Sequence, residues 1–356
     1  MSGLFDAVTV GGLELPNRLV MSPMGRGRTT PDGTPLPVMA DYYAQRAAAG
    51  LVISEATHPS PVAVGHAHSV RLHTAAQARA WARIVEAVHR EGGRFHLQLM
   101  HAGRISHPDL HGEVPLAPSA VRAAGQARVF EGKPDYPVPR ALTEEEIAVT
   151  VRDFARAAEV AADIGFDGVE IHGANGYLLH QFLSPATNRR TDGYGGAPER
   201  RARFVLEVAE AVAQQIGPER TGIRLSPGFP LNDITEPDRA EVYPVLLDGL
   251  DALGLEHVHF VAGSDLGLVH QLSRRWQRTV IVNAGTGPLG TEETLDAAGK
   301  ALTEGADLLS FGRQFLANPD LPERLRARAP LNAWNPQYFY EGGPLGYTDY
   351  PVLAAV

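Results

Sequence analysis

Near the middle of a 356-residue chain, Gly168-Val169-Glu170-Ile171-His172-Gly173-Ala174-Asn175-Gly176-Tyr177 gathers the residue types best suited to holding a ligand by hydrogen bonds. Val169 and Ile171 alternate with Glu170 and His172, the period-two pattern of a short strand with one apolar and one polar side. Gly173 and Gly176 then break the run and free the backbone to bend where the strand would end. That bend brings His172, Asn175 and Tyr177 to one rim, each with a hydrogen to donate. Asn also caps local backbone readily, so the motif alone fits a satisfied loop as well as a site.

The elements around it decide between the two. Residues 8–18 alternate apolar and polar about Gly11-Gly12 and read as a small hairpin closing one end of the larger assembly of strands. Strands are expected at 19–24, 51–56, 95–99, 168–173, 221–225, 257–261, 279–283 and 307–311. Helices are expected at 38–49, after Thr74, after Thr143, and over 201–216, 238–253, 266–277 and 291–304, with a last one after 320. Thr74 with Gln77, and Thr143 with Glu146, have capping-box spacing. Residues 105–141 are rich in Pro and Gly without periodicity, an insertion after the third core strand that reads as a lid or pocket wall. Eight strands, each followed by a helix-length segment, spell an α/β protein: a (β/α)8 TIM barrel, one domain over residues 1–356.

Ligands of such barrels sit at the carboxyl ends of the strands. The sequence places Met24-Gly25-Arg26, Ala56, Gln98, Met100, His101, the His172 motif, Arg224, Gly285 and Gly312-Arg313 there. Gly285-Thr286-Gly287-Pro288-Leu289-Gly290 matches G-x-G-x-x-G, but a Rossmann unit would carry it at the first strand, with half a sheet still to come. Barrels commonly hold a phosphate in the loops after strands seven and eight, where Gly285 and Gly312 fall, and Arg313 adds a fork of donors. One phosphate group accounts for both loops.

Among 14 histidines, His66-Ala67-His68 and His257-Val258-His259 have i, i+2 spacing, yet neither pair has a third ligand close in sequence, so no metal is expected. With no cysteine, thiolate nucleophiles, disulfides and Cys-held clusters are excluded. A formal charge of −9 argues against nucleic acid or an anionic membrane surface as partners. No apolar run approaches the roughly 18 residues of a membrane span. The N-terminal residues show no secretory pattern, so a cytoplasmic location is the expectation.

The segment His172-Gly-Ala-Asn-Gly-Tyr-Leu-Leu-His-Gln-Phe-Leu-Ser-Pro185, continuing through Asn188-Arg189-Arg190-Thr191-Asp192-Gly193-Tyr194-Gly195-Gly196 to Arg200, resembles the signature of the old yellow enzyme family. Asn17-Arg18, Pro23-Met24, Gln98 to Arg104, Gly312-Arg313 with Asn318-Pro319-Asp320-Leu321, and Gly346 to Pro351 extend the likeness over nearly the whole chain. The resemblance implies non-covalent FMN, hydride from NADH or NADPH, and electron-poor alkenes as substrates. It implies that His172 and Asn175 hold the substrate oxygen and Tyr177 gives a proton. Gln98 would pair with the flavin pyrimidine edge, Arg224 would face N1 and O2, and Pro23, Met24 and Ala56 would line the ring. Gly285, Thr286, Gly312 and Arg313 would take the phosphate, and His66, Met100 and Tyr347 would border the substrate. A larger iron–sulfur relative would need the cysteines this chain lacks.

Three positions depart from the family pattern. Gly25 stands where Thr or Cys is usual, Met100 where an aromatic is common, and His66 where a tyrosine often stands. Glycine cannot give the flavin a side-chain hydrogen bond, so this flavin is expected to be harder to reduce.

Overall fold

Short runs of Val, Ile, Leu and Phe form the strands, and longer amphipathic runs between them form the helices. The structure is a computed structural model describing residues 3–261, 265–283 and 289–354. In chain order, β1 (Val8–Val10) and β2 (Leu13–Leu15) form the expected antiparallel hairpin. There follow β3 (Leu19–Met21), α1 (Val38–Ala44), β4 (Leu51–Ile53), α2 (Ala75–Arg90) and β5 (Phe95–Leu99). The insertion contributes α3 (Pro108–His111), β6 (Leu116–Ala117) and β7 (Arg140–Ala141). Then come α4 (Glu144–Asp163), β8 (Gly168–Gly173), α5 (Leu178–Leu183), α6 (Pro198–Ile216), β9 (Thr221–Leu225), α7 (Arg239–Leu253) and β10 (His257–Val261). The last elements are α8 (Leu266–Arg275), β11 (Thr279–Asn283), α9 (Thr291–Thr303), β12 (Leu308–Phe311), α10 (Arg313–Ala317) and α11 (Leu321–Arg326).

Eight parallel strands close into a barrel in the order β10-β11-β12-β3-β4-β5-β8-β9, the (β/α)8 TIM barrel. Both capping boxes form: Gln77 N–H donates to Thr74 Oγ1 and Thr74 N–H to Gln77 Oε1, and Glu146 and Thr143 exchange the same pair of bonds. No described helix is long and apolar enough to cross a membrane.

The period-two pattern of β8 has a different meaning from that of an open sheet. All six of its residues are buried. Val169 and Ile171 join Phe154 and Val205 in the layer between strands and helices, while Glu170 and His172 point into the barrel. In β5, β9 and β10 the same alternation sends His96, Gln98, Arg224, His257 and His259 inward. The opposite half of the interior is apolar, with Val20, Leu51, Ile53, Ile281 and Leu308 packed against Val10 and Leu15 of the hairpin. The hairpin plugs the amino-terminal end of the barrel, as its pattern suggested.

Several elements differ from expectation: β3 and β4 end at Met21 and Ile53, short of 24 and 56, and α3, β6, β7 and α10 had no expected counterpart. α1 stops at Ala44 rather than 49, because Asn17 draws the following turn in by donating to Ala48 O at 2.9 Å and accepting from Gly50 N–H at 2.9 Å. α5 was not foreseen; its six residues are all buried and too few to display a helical period. The insertion is ordered around its own apolar cluster of Val64, Ile105, Leu110, Ala127, Val129 and Tyr136, against which Tyr177 packs.

Candidate active site

The site begins where β8 ends. His172 is the register partner of Arg224 on β9. The turn after it uses Asn175 (φ 58°) and Gly176 (φ 75°), not Gly173, which stays in the strand. A Cβ at 176 would lie 2.5 Å from Leu231 O, so only glycine fits. Asn tolerates the left-handed region better than most residues, and here it is fixed from two sides. Its N–H donates to Ser226 Oγ at 2.8 Å, and its carbonyl accepts from Asn232 Nδ2 at 2.8 Å. Tyr177 then opens α5, its ring 5.4 Å from that of His172 and its hydroxyl 3.2 Å from His66 Nε2.

Burial sets the charge states. Desolvation, and next the Arg224 cation, lower the His172 pKa to about 3, so its imidazole is neutral at pH 7 and can donate but carries no charge. Desolvation likewise lowers His66 to about 4 and pushes the Tyr177 phenol up to about 12, so Tyr177 keeps its proton.

Pro23, Met24, Gly25, Asn175, Arg224, Gly312 and Arg313 line one cavity of about 310 Å³. Ala56, Gln98 and Met100 follow or end β4 and β5 at the same end of the barrel. Gln98 is 2 % exposed and donates from Nε2 to Glu170 Oε1 at 2.6 Å. Met100 is buried, and its carbonyl meets His58 Nδ1 at 3.0 Å. Gly285 and Thr286 lie outside the described residues.

Tyr347 is not at the cavity. It is fully buried and stacks on Tyr42 with centroids 4.0 Å apart, beneath the guanidinium groups of Arg26 and Arg28. The reason is a strap. Arg26 donates to Phe339 O at 2.9 Å and Gly346 O at 2.7 Å, and Arg28 to Tyr338 O at 3.0 Å and Glu341 O at 2.6 Å, with Tyr347 as the apolar floor. The aromatics that the tail does bring to the cavity are Phe339 and Tyr340. Sequence reasoning missed both; the aromatic triplet Tyr338-Phe339-Tyr340 ahead of Gly342-Gly343 was the available signal.

The histidine pairs go separate ways. His66 faces Tyr177, whereas His68 faces Thr29 O. His257 joins His96 and Glu256 in a buried group of ligand-type side chains drawn from two strands and the loop before β10; Glu256 adjoins His257 in the sequence, where the expectation of no nearby third ligand overlooked it, and only His96 is brought in by the fold. Both nitrogens of His257 already face carboxylates, Glu256 at 3.1 Å and Glu170 at 3.3 Å.

The residues present fit a flavin. Arg224 Nε, His172 Nδ1, Asn175 Oδ1 and Asn283 Oδ1 are buried without a protein partner, which is costly unless a ligand supplies one. A Cβ built on Gly25 meets nothing within 4 Å, leaving open space beside Pro23 and Met24. An apolar wall facing a buried guanidinium suits a planar ring that gathers negative charge on reduction.

Barrel, polar rim and cavity together suit a flavin-binding oxidoreductase. The sequence profile of the NADH:flavin oxidoreductase / NADH oxidase family matches residues 3–332. The chain is 38 % identical over 359 residues to a probable flavin mononucleotide-dependent alkene reductase of Leishmania infantum, spanning 98 % of this chain and 97 % of that one. Its fold matches the old yellow enzyme homologue of Zymomonas mobilis with a TM-score of 0.94 at 38 % identity, over 99 % of this chain and 100 % of that one. It also matches morphinone reductase in complex with tetrahydroNAD, with a TM-score of 0.93 at 44 % identity, over 99 % and 98 % of the two chains. The chain therefore belongs to the NADH:flavin oxidoreductase family, the FMN enzymes of old yellow enzyme type reduced by a nicotinamide dinucleotide.

Proposed function

We propose that the protein reduces electron-poor carbon–carbon double bonds, in enones, nitroalkenes and similar acceptors, with NADH or NADPH as the source of hydride. The observation that carries this reading is the pairing of a neutral imidazole and a carboxamide at one barrel rim, His172 and Asn175, with a protonated phenol beside them. Two donors on one carbonyl or nitro oxygen withdraw electron density from the conjugated β-carbon and stabilise the charge that develops on oxygen. Tyr177, with its proton held by burial, protonates the α-carbon as a general acid.

FMN, when bound, supplies the two-electron chemistry that accepts hydride and passes it on. Gln98 would meet its pyrimidine edge and Arg224 its N1 and O2, where a fixed cation favours the reduced anion. Pro23, Met24 and Ala56 would flank the ring, and Gly312 and Arg313, with Gly285 and Thr286, would hold the phosphate. Met100 and His66 would shape the substrate wall; Met adapts its shape more than the usual aromatic. The absence of cysteine suits a reducing compartment, in keeping with a cytoplasmic enzyme.

Anaerobic mixing tests the reading. NADPH should bleach the yellow protein, and 2-cyclohexenone should then restore the colour. Bleaching without recovery would leave a flavin protein that does not reduce alkenes, and the reading would fail.

A further inference from the structure

The polar half of the barrel interior contains a row of buried charges, and strand register shows how they meet. Gln98 of β5 partners Glu170 of β8, Glu170 partners Gly222 of β9, and Gly222 partners His257 of β10. Position 222 has no side chain, and the His257 imidazole fills the space: a Cβ there would lie 2.1 Å from the His257 Cε1. The glycine lets a residue of β10 reach across β9 to a residue of β8.

Glu170 is fully buried and accepts from three side chains. Gln98 Nε2 is 2.6 Å from Oε1, and His259 Nδ1 and His257 Nε2 are 2.7 Å and 3.3 Å from Oε2. The other nitrogen of His257 lies 3.1 Å from Glu256 Oε2. An imidazole with a carboxylate on each nitrogen satisfies both only as the doubly protonated cation. Burial opposes that charge, but the hydrogen bonds to Glu170 and Glu256 prevail and raise the His257 pKa to about 9. His259 can stay neutral, giving Nδ1–H to Glu170 and accepting the Ser310 hydroxyl on Nε2 at 2.7 Å. Arg224 is buried as well, and Glu170 is the carboxylate that acts on its charge. The signs therefore alternate from the cavity inward: Arg224 positive, Glu170 negative, His257 positive, Glu256 negative.

We propose that Glu170, backed by His257, is a positioning residue: it ties the Gln98 amide so that its carbonyl faces the flavin, and it offsets the Arg224 charge, holding the flavin's reduction potential down. This rests on the proposed placement of Gln98 and Arg224 against FMN. The sign comes from the order of charges. Removing the Glu170 carboxylate leaves Arg224 less opposed and the reduced anion better stabilised. Removing the His257 cation strengthens the carboxylate and does the reverse.

The test is a spectroelectrochemical titration of FMN in the holoenzyme and three variants. Glu170→Gln keeps the shape of the side chain and should favour reduced flavin about tenfold, a rise of ~30 mV for two electrons. His257→Gln should shift the potential downward. A side chain that only props the barrel would lower the melting temperature and leave the potential where it was; unmoved potentials, or shifts of the same sign, overturn the proposal. If Glu170→Gln does not fold, the direction of the His257→Gln shift decides alone, and a folded His257→Gln that takes up no FMN also counts against it. Arg224→Gln separates the two layers of inference. A silent Arg224→Gln means that the flavin placement is wrong; a lowered potential there, with the other two silent, means that only the role of Glu170 is wrong.

Discussion

A free imidazole is partly protonated near neutral pH, whereas His172, buried beside Arg224 with its pKa lowered to about 3, is not. Its neutrality comes from where it sits. Asn175 is its proposed companion on the substrate oxygen, and the informative substitution there is to glycine, since alanine at φ 58° would add backbone strain to the loss of the amide. Asn175→Gly should lower kcat/KM for an enone about 10²–10³-fold, as for other single donors to a developing oxyanion, with FMN content unchanged; steady-state kinetics and the visible spectrum check this. At Gly25 a new Cβ meets nothing within 4 Å, so the backbone there has room for a side chain. Gly25→Thr should raise the flavin midpoint potential by restoring a hydrogen bond to the ring, and an unchanged potential would refute the idea. That His172, Asn175 and Arg224 share one rim was legible because they lie near or just beyond the carboxyl ends of β8 and β9. The contact of His66 with Tyr177 was not, because 111 residues separate them.

Helices and strands were read well where they carried a long period or a cap. α2 and α4 start at Thr74 and Thr143 because each threonine has its Gln or Glu three residues on, and both boxes formed. Losing one should cost stability without touching the chemistry: Thr143→Ala should lower the unfolding free energy by about 1 kcal/mol, seen as a lower urea midpoint with kcat unaltered. α5 escaped notice because no side chain caps it and six residues cannot show amphipathicity. Tyr347 was misjudged for a related reason. A motif shows that a tail is ordered, but whether a tyrosine in it faces the cavity or the wall behind depends on Arg26 and Arg28, more than 300 residues away in sequence.

Across the whole molecule, the alternation of strand and helix announced the barrel, but not that one half of its interior is hydrocarbon and the other charged. Inward-facing residues find their partners on neighbouring strands, and register is not written in any one segment. The charged half should govern stability in alkali. His257 has its pKa raised to about 9 in the folded state, so its contribution is complete below about 6.5, its unfolded value, and is lost as pH climbs through about 9. Burial raises Glu55 to about 7, which acts in the same direction between about pH 4.5 and 7, since the unfolded chain ionises first, and leaves the decline above pH 7 to His257. Urea midpoints should therefore decline between about pH 7 and 9, and less steeply in His257→Gln; a flat profile in the parent protein would contradict this. The arginine strap has a temporal consequence. Phe339 and Tyr340 line the cavity, and the segment carrying them is clamped at Phe339 O by Arg26 and Arg28, synthesised some three hundred residues earlier. A ribosome paused before those two aromatics emerge would display a barrel with one side of the cavity missing, so cofactor loading is expected of the finished polypeptide and not of the nascent one.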